Sequence, residues 1–190
     1  LMSEAPIGIF DSGLGGLTVR REILSLMPWE DTVYLADSAQ APYGEKTPGQ
    51  ILELSRRNTR WLIDQGCKII VVSIGHGWEA KGWCMDEETA QALREMGMTV
   101  FTGIHALGDG VGTAFSAKFG GRAPAEIVRD TLYCFGQGMK VAVECVLMAA
   151  EAGYLDMSQE VVATTSIGYA IFPRDGETLF ELMKSADLAR

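Results

Sequence analysis

A chain of 190 residues, 47% hydrophobic and 22% charged, has the composition of an ordinary globular protein and is long enough to bury a substantial core. Its net charge of −9 speaks against a nucleic-acid partner, because a phosphate backbone is met by clustered Lys and Arg and the sixteen basic residues here are scattered. No apolar run reaches the length of a membrane span and the first residues lack a charged-then-apolar signal, so a cytoplasmic protein without a membrane partner is expected.

Read in chain order, the first seventy residues alternate strand-like and helix-like patterns. A short apolar run at 7–10 predicts the first strand, and 17–26 has the spacing of an amphipathic helix that ends near Pro28. Residues 32–36 predict a second strand, 39–47 a turn-rich loop, and 48–64 a helix closed by Gly66. A third strand at 68–72 is apolar enough to be covered on both faces. Beyond a loop at 74–84, Asp86 caps a helix that stops at Gly97, and 98–102 predict a fourth strand. Residues 106–121 are mixed. Helices follow at 123–134 and 140–152, the second apolar almost all round and expected to be the most buried. Strands at 160–165 and 167–172 and a helix at 175–188 close the chain. The expected fold is a single α/β domain over 1–190, a three-layer α/β/α sandwich on a mostly parallel sheet of five or six strands.

Chemistry concentrates at the carboxyl ends of these strands, where open α/β sheets bind ligands. Asp11 and Ser12 follow the first strand, and the glycines at 13, 15 and 16 lead into a helix whose first amides could receive an anion. The plainer readings are a steric turn for the glycines and a turn-forming or capping carboxylate for Asp11. Ser73, His76 and His105 fall near the same predicted edge, as a phosphate- or ligand-binding rim or as ordinary loop polarity. Trp78 and Trp83 could stack on a planar ligand or pack over the sheet end. Cys67, Cys84, Cys134 and Cys145 have neither CxxC spacing nor paired histidines, so no metal site is expected and the thiols are read as reduced.

The run IGIFDSGLGGLT at 7–18, with YLADS at 34–38 and APYG at 41–44, resembles the amino-terminal part of glutamate racemase over residues 1–72. That family racemises without a cofactor, using two cysteines on opposite faces of the α-carbon. The resemblance implies that Asp11 matches the aspartate assisting the first cysteine, and that Ser12, Gly13, Tyr43 and Gly44 match positions holding substrate. Where the family supplies Ala-Cys-Asn-Thr, this chain has Ser73-Ile74-Gly75-His76, and the half with the second cysteine has no counterpart. Cys67 precedes the third strand and so belongs to the opposite edge. General acid–base work needs hydrogen-bond reach, which one carboxylate lacks for both faces.

Residues 68–163 resemble pyruvate-kinase C-terminal-domain-like proteins, through MDEET at 85–89, HAL at 105–107, KFGG at 118–121 and FGQGMKV at 135–141. That resemblance implies a flavin mononucleotide or another phosphate-bearing ligand at Ser73, His76 and His105; otherwise no cofactor is implied. Residues 164–190 resemble the closing strand and helix of a diguanylate cyclase domain, without its signature Gly-Gly-Asp/Glu-Glu-Phe loop. Three resemblances in one chain imply an engineered or recombined scaffold with no intact active site. The alternative is a domain binding a small anionic ligand, either a phosphate-bearing molecule or an acidic amino acid, or a residual racemase-like enzyme.

Overall fold

The computed structural model describes residues 5–75, 84–108, 110–158 and 161–163. His76, Trp78, Trp83, the predicted strand at 167–172 and the predicted helix at 175–188 lie outside the described residues, and so does half of the predicted strand at 160–165. The described residues of Leu1–Ser73, Met85–Phe101 and Asp156–Val162 form one compact unit; those of Ile74–Cys84, Thr102–Leu155 and Ala163–Arg190 form another.

The chain folds as α/β with parallel strands. In the first unit, β1 (Ile7–Asp11) pairs in parallel with β2 (Thr32–Ala36), Ile7 opposite Thr32 and Asp11 opposite Ala36. A parallel pair needs a crossover, and α1 (Leu17–Leu26) supplies it. The ladder is closed at its start by the Ile7 amide on the Asp31 carbonyl at 2.8 Å, and at its end by the Asp37 amide on the Asp11 carbonyl at 2.9 Å.

Helix α2 (Pro48–Asp64) begins where the sequence places it. Proline suits the first helical position, and Thr47 and Gln50 form a reciprocal capping box, with the Gln50 amide 3.3 Å from Thr47 Oγ1 and the Thr47 amide 2.9 Å from Gln50 Oε1. Gly66, at φ +91°, ends it in the left-handed region that glycine enters without penalty. The helix lies against β1 and β2 with Asn58 and Leu62 buried. Gly8 makes this approach possible, since a Cβ there would meet Cys67 Sγ at 2.8 Å and Leu62 Cδ1 at 3.2 Å.

Strands β3 (Ile70–Ile74) and β4 (Thr99–Gly103) form a second two-stranded sheet. Their bonds link start to start and end to end: the Thr99 amide reaches the Ile69 carbonyl at 3.0 Å, and the Gly75 amide reaches the Gly103 carbonyl at 2.6 Å. That pattern is parallel, with α3 (Glu87–Glu95) as its crossover. Asp86 caps α3, its carboxylate accepting the Thr89 amide at 2.7 Å, and Glu87 and Glu88 place negative charge in the first turn. Among the described residues the strands number four, in two sheets of two, where the sequence predicts one sheet of five or six. The difference in number lies at the chain's end, since residues 161–163 carry no strand and the other residues predicted as the last two strands are not described. The division into two sheets lies in the first four strands, where β1 pairs with β2 and β3 with β4 and no described bond joins the two pairs into one sheet.

The second unit contains α4 (Val111–Phe119), α5 (Pro124–Tyr133) and α6 (Gln137–Glu151), with α5 against both α4 and α6. Glu126 closes the α4–α5 turn by accepting the Ser116 hydroxyl at 2.6 Å and the Ala123 amide at 2.8 Å. Helix α6 holds more buried residues than any other described helix, as expected, but its buried stripe is not apolar throughout. Lys140 and Glu144 lie in it beside Met148 and Ala149, while Met139 and Leu147 are exposed.

Candidate functional site

The loop after β1 is organised by the Asp11 carboxylate. Asp11 Oδ1 accepts the Ser12 amide at 2.8 Å, with the Ser12 hydroxyl at 3.5 Å, and Oδ2 accepts the Gly16 amide at 2.8 Å. The next two amides turn inward as well, Leu17 to the Leu14 carbonyl and Thr18 to the Gly15 carbonyl, each at 3.2 Å. The amides of Gly16, Leu17 and Thr18 at the start of α1 therefore already have acceptors, one of them a carboxylate from the chain itself. Tyr34, on β2, donates its hydroxyl to the Gly13 carbonyl at 3.0 Å. Its ring covers Gly16 so closely that a Cβ there would lie 2.9 Å from Tyr34 Oη. Burial, with the Asp11 charge beside it, pushes the Tyr34 phenol above its ordinary pKa. Ser12 and Gly13 remain half-buried at the loop surface.

Beside it, at the end of β2, four side chains close a second network. Asp37 Oδ2 accepts the Tyr43 hydroxyl at 2.6 Å, Arg57 Nη2 at 2.5 Å and Asn58 Nδ2 at 3.2 Å. The same Asn58 nitrogen lies 2.9 Å from the Tyr43 oxygen, and Asn58 Oδ1 accepts Arg57 Nη2 at 3.1 Å. Asp37 and Asn58 are buried, Arg57 is half exposed, and Tyr43 sits in a 3-10 turn, Tyr43–Glu45, with Gly44 at the surface. Burial opposes the Asp37 charge, but the Tyr43 and Asn58 hydrogen bonds and the Arg57 guanidinium outweigh it and hold the carboxyl below its usual pKa. The Tyr43 phenol moves the other way, raised by burial and by donation to Asp37.

Sequence reasoning named Asp11, Ser12, Gly13, Tyr43 and Gly44 but missed Asn58 and Arg57. The signal was present: Asn58 stands one turn from both Leu54 and Leu62, so an amide interrupts the apolar face of an amphipathic helix.

The remaining candidates belong to other elements. Cys67 is buried against Gly8 on β1, and burial pushes its thiol up in pKa, which suits a packing group rather than a base. Ser73 is buried in β3. In the second unit, His105 follows β4 with Nε2 4.0 Å from Glu144 Oε2, and Glu144 also accepts Lys140 Nζ and the Leu107 amide, the latter at 2.8 Å. Among the described residues, no three of His, Cys, Asp and Glu stand together as a metal could require, and no helix is long and apolar enough to cross a membrane.

No family model matches the chain. Part of it is similar to curated glutamate racemases. It is 54% identical over 71 residues to that of Ralstonia pickettii, covering 37% of this chain and 25% of the relative. It is 53% identical over 72 residues to that of Clostridium perfringens, covering 38% and 28%. The chain thus spans about a quarter of the length of the relatives it matches. Among solved structures, the glutamate racemase from Aquifex pyrophilus is 26% identical, with a TM-score of 0.36 over 68% of this chain and 64% of that one. The first of the three resemblances is therefore found at about half identity over a segment as long as the racemase-like region read from the sequence.

Proposed function

We propose that this chain binds a small anionic amino acid, glutamate first among candidates, at the loop edge formed by Asp11, Ser12 and Gly13 with Tyr43 and Gly44. The observation carrying this reading is the 71-residue similarity to glutamate racemase at 54% identity. Racemisation is the reaction such a site would serve, and no cofactor enters the reading.

We place the chain at binding rather than turnover. Exchange of a Cα proton needs a group on each face within hydrogen-bond reach. Asp11 has both carboxylate oxygens committed to the loop amides, and Cys67 is packed against Gly8. The proposal keeps residues 68–163 as pyruvate-kinase-C-terminal-like and 164–190 as cyclase-like, joined to the racemase-like segment.

Thermal shift with D- and L-glutamate, inorganic phosphate and flavin mononucleotide tests this. A ligand at one hundred times its dissociation constant stabilises the fold by about 2.7 kcal/mol, which is readily seen. The expected result is a shift with glutamate. A shift with flavin mononucleotide alone would move the site to Ser73, His76 and His105. A melt that none of them moves would support a recombined scaffold without a ligand. Incubating either enantiomer with the protein in heavy water and following the Cα proton by NMR separates binding from turnover.

A further inference from the structure

Asn58 and Arg57 lie on α2, outside the motif residues, and yet they meet the one buried carboxylate at this edge. Asp37 Oδ2 receives three donors, from Tyr43, Arg57 and Asn58. Asn58 is 1% exposed, and its amide group bridges the network, donating to Asp37 and Tyr43 and accepting from Arg57. The Tyr43 hydroxyl gives its proton to Asp37 and accepts from Asn58, so both its hydrogen-bonding roles are filled inside the protein. A hydroxyl spent in this way holds its own residue in place. What it holds is the short turn Tyr43–Glu45, where nothing stands within 4 Å of a Cβ built on Gly44.

We propose that Asn58 and Arg57 are positioning residues: through Asp37 and the Tyr43 hydroxyl they fix the 43–45 turn in the conformation that a ligand at this edge would meet. The ligand part of this inference rests on the amino-acid-binding reading; the ordering of the turn stands without it. Within its own backbone the turn closes through the Lys46 amide, which donates to the Tyr43 carbonyl at 3.1 Å. The network instead ties it to the end of β2 and to the middle of α2, both regular elements.

The roles within the network differ. Asn58 is buried and neutral, so its loss leaves the Asp37 carboxylate and the Tyr43 oxygen short of a donor in a dry place. Arg57 is half exposed and supplies charge, so its loss is partly made up by water. Asn58 variants should therefore disturb the turn more than Arg57 variants. An Asn58→Asp substitution would set a second carboxyl about 3 Å from the first, and two such groups cannot both ionise freely. The turn should then become ordered or disordered with pH in a range where the parent protein does not respond.

The test is amide hydrogen exchange across residues 42–46, measured alongside glutamate affinity and melting temperature. The full chain is used with Asn58→Ala, Tyr43→Phe, Arg57→Gln and Asn58→Asp. Expected is exchange in the turn faster by about tenfold or more for Asn58→Ala and Tyr43→Phe, with the β1–β2 amides unchanged and glutamate affinity reduced in parallel. Arg57→Gln should fall between these and the parent, and Asn58→Asp should show a pH-dependent turn. Unchanged exchange at 42–46 in Asn58→Ala and Tyr43→Phe, with both proteins folded, would overturn the proposal. So would faster exchange spread evenly over the ladder, which is what a merely structural role gives. A parent protein that binds no glutamate would remove the amino-acid reading alone, since the exchange pattern still decides whether the network orders the turn.

Discussion

The Asp37 amide donates to the main-chain carbonyl of Asp11 at 2.9 Å, just past the last paired residues of β1 and β2. That bond brings two carboxylate-bearing positions, distant in sequence, to one sheet edge. Their side chains then diverge in task. Asp11 turns to the loop that opens α1, and Asp37 turns to α2 and the Tyr43 turn. The parallel register fixes the pairing, because a slip of one residue would turn the slipped strand's side chains to the other face.

Gly16 separates packing from conformation in the Asp11 loop. A Cβ at this position would lie 2.9 Å from Tyr34 Oη, closer than real contacts allow, and a tight 3.0 Å from Asp11 Cβ. Gly16→Ala must push the Tyr34 ring aside and weaken its bond to the Gly13 carbonyl, and we expect a loss of about 1–3 kcal/mol in urea denaturation. Gly13→Ala is the matched control, because nothing stands within 4 Å of a Cβ there, and it should stay within about 0.5 kcal/mol of the parent. Equal effects at the two glycines would refute the close-approach account.

The Asp37 carboxyl is held below its usual pKa, so its contribution to stability has a definite direction with pH. Above the unfolded value, about 3.9, both states are ionised and the contribution is fully present. As the pH falls below that, the unfolded chain takes up the proton first and stability drops, and the contribution is gone once the folded carboxyl is protonated too. Asp37→Asn should cost about 1–3 kcal/mol at neutral pH while flattening the acid limb. Urea midpoints from pH 6 down to pH 2.5 should therefore converge for the two proteins. Curves that stay parallel would assign the acid sensitivity elsewhere, with Glu126, Asp86 and Asp156, whose carboxyls are also lowered, as the next groups to change.

Much of the first seventy residues was legible because its signals are local. The bounds of α1, β2 and α2 fall where the apolar spacing, Pro48 with the Thr47–Gln50 box, and Gly66 put them. Strand β3 was less so. Its apolar run suggests 68–72, but the ladder with β4 sets it at Ile70–Ile74, and β4 itself is displaced by one residue from 98–102. Composition locates a strand, and only its partner fixes the ends. At the site, Asp11 and Tyr43 could be named from their motifs, whereas the Asn58–Asp37 contact joins elements that no local pattern connects.

The buried pair on α6 gives a sharper mutational contrast. Lys140 and Glu144 are both nearly inaccessible, and Lys140 stands over the Tyr133 ring at 6.0 Å. Lys140→Met should cost about 3–5 kcal/mol, because it strands a buried carboxylate. Adding Glu144→Gln removes that charge while keeping an oxygen for the Leu107 amide, now 2.8 Å from Glu144 Oε1. The double variant should recover a large part of the loss in chemical denaturation. A double variant less stable than Lys140→Met alone would show that the carboxylate is wanted for its charge toward His105 or Leu107 rather than for the lysine.

Thiol labelling can order the cysteines without any mutation. Cys134 is exposed, whereas Cys67 is buried against Gly8 with its pKa raised by burial. Cys145 is half-buried, and burial together with the Glu144 charge raises its thiol as well. Since the thiolate is the reacting form, iodoacetamide on the native protein at pH 7.5 should, of these three, modify Cys134 first, Cys145 slowly, and Cys67 only as the chain opens. Peptide mass spectrometry over a time course reads this directly, and a urea series should bring Cys67 labelling in with global unfolding. Early modification of Cys67 in native buffer would mean that the contact between β1 and the end of α2 opens on its own. It would also restore Cys67 as a thiol that a ligand at the first unit could meet, against the packing role assigned to it here.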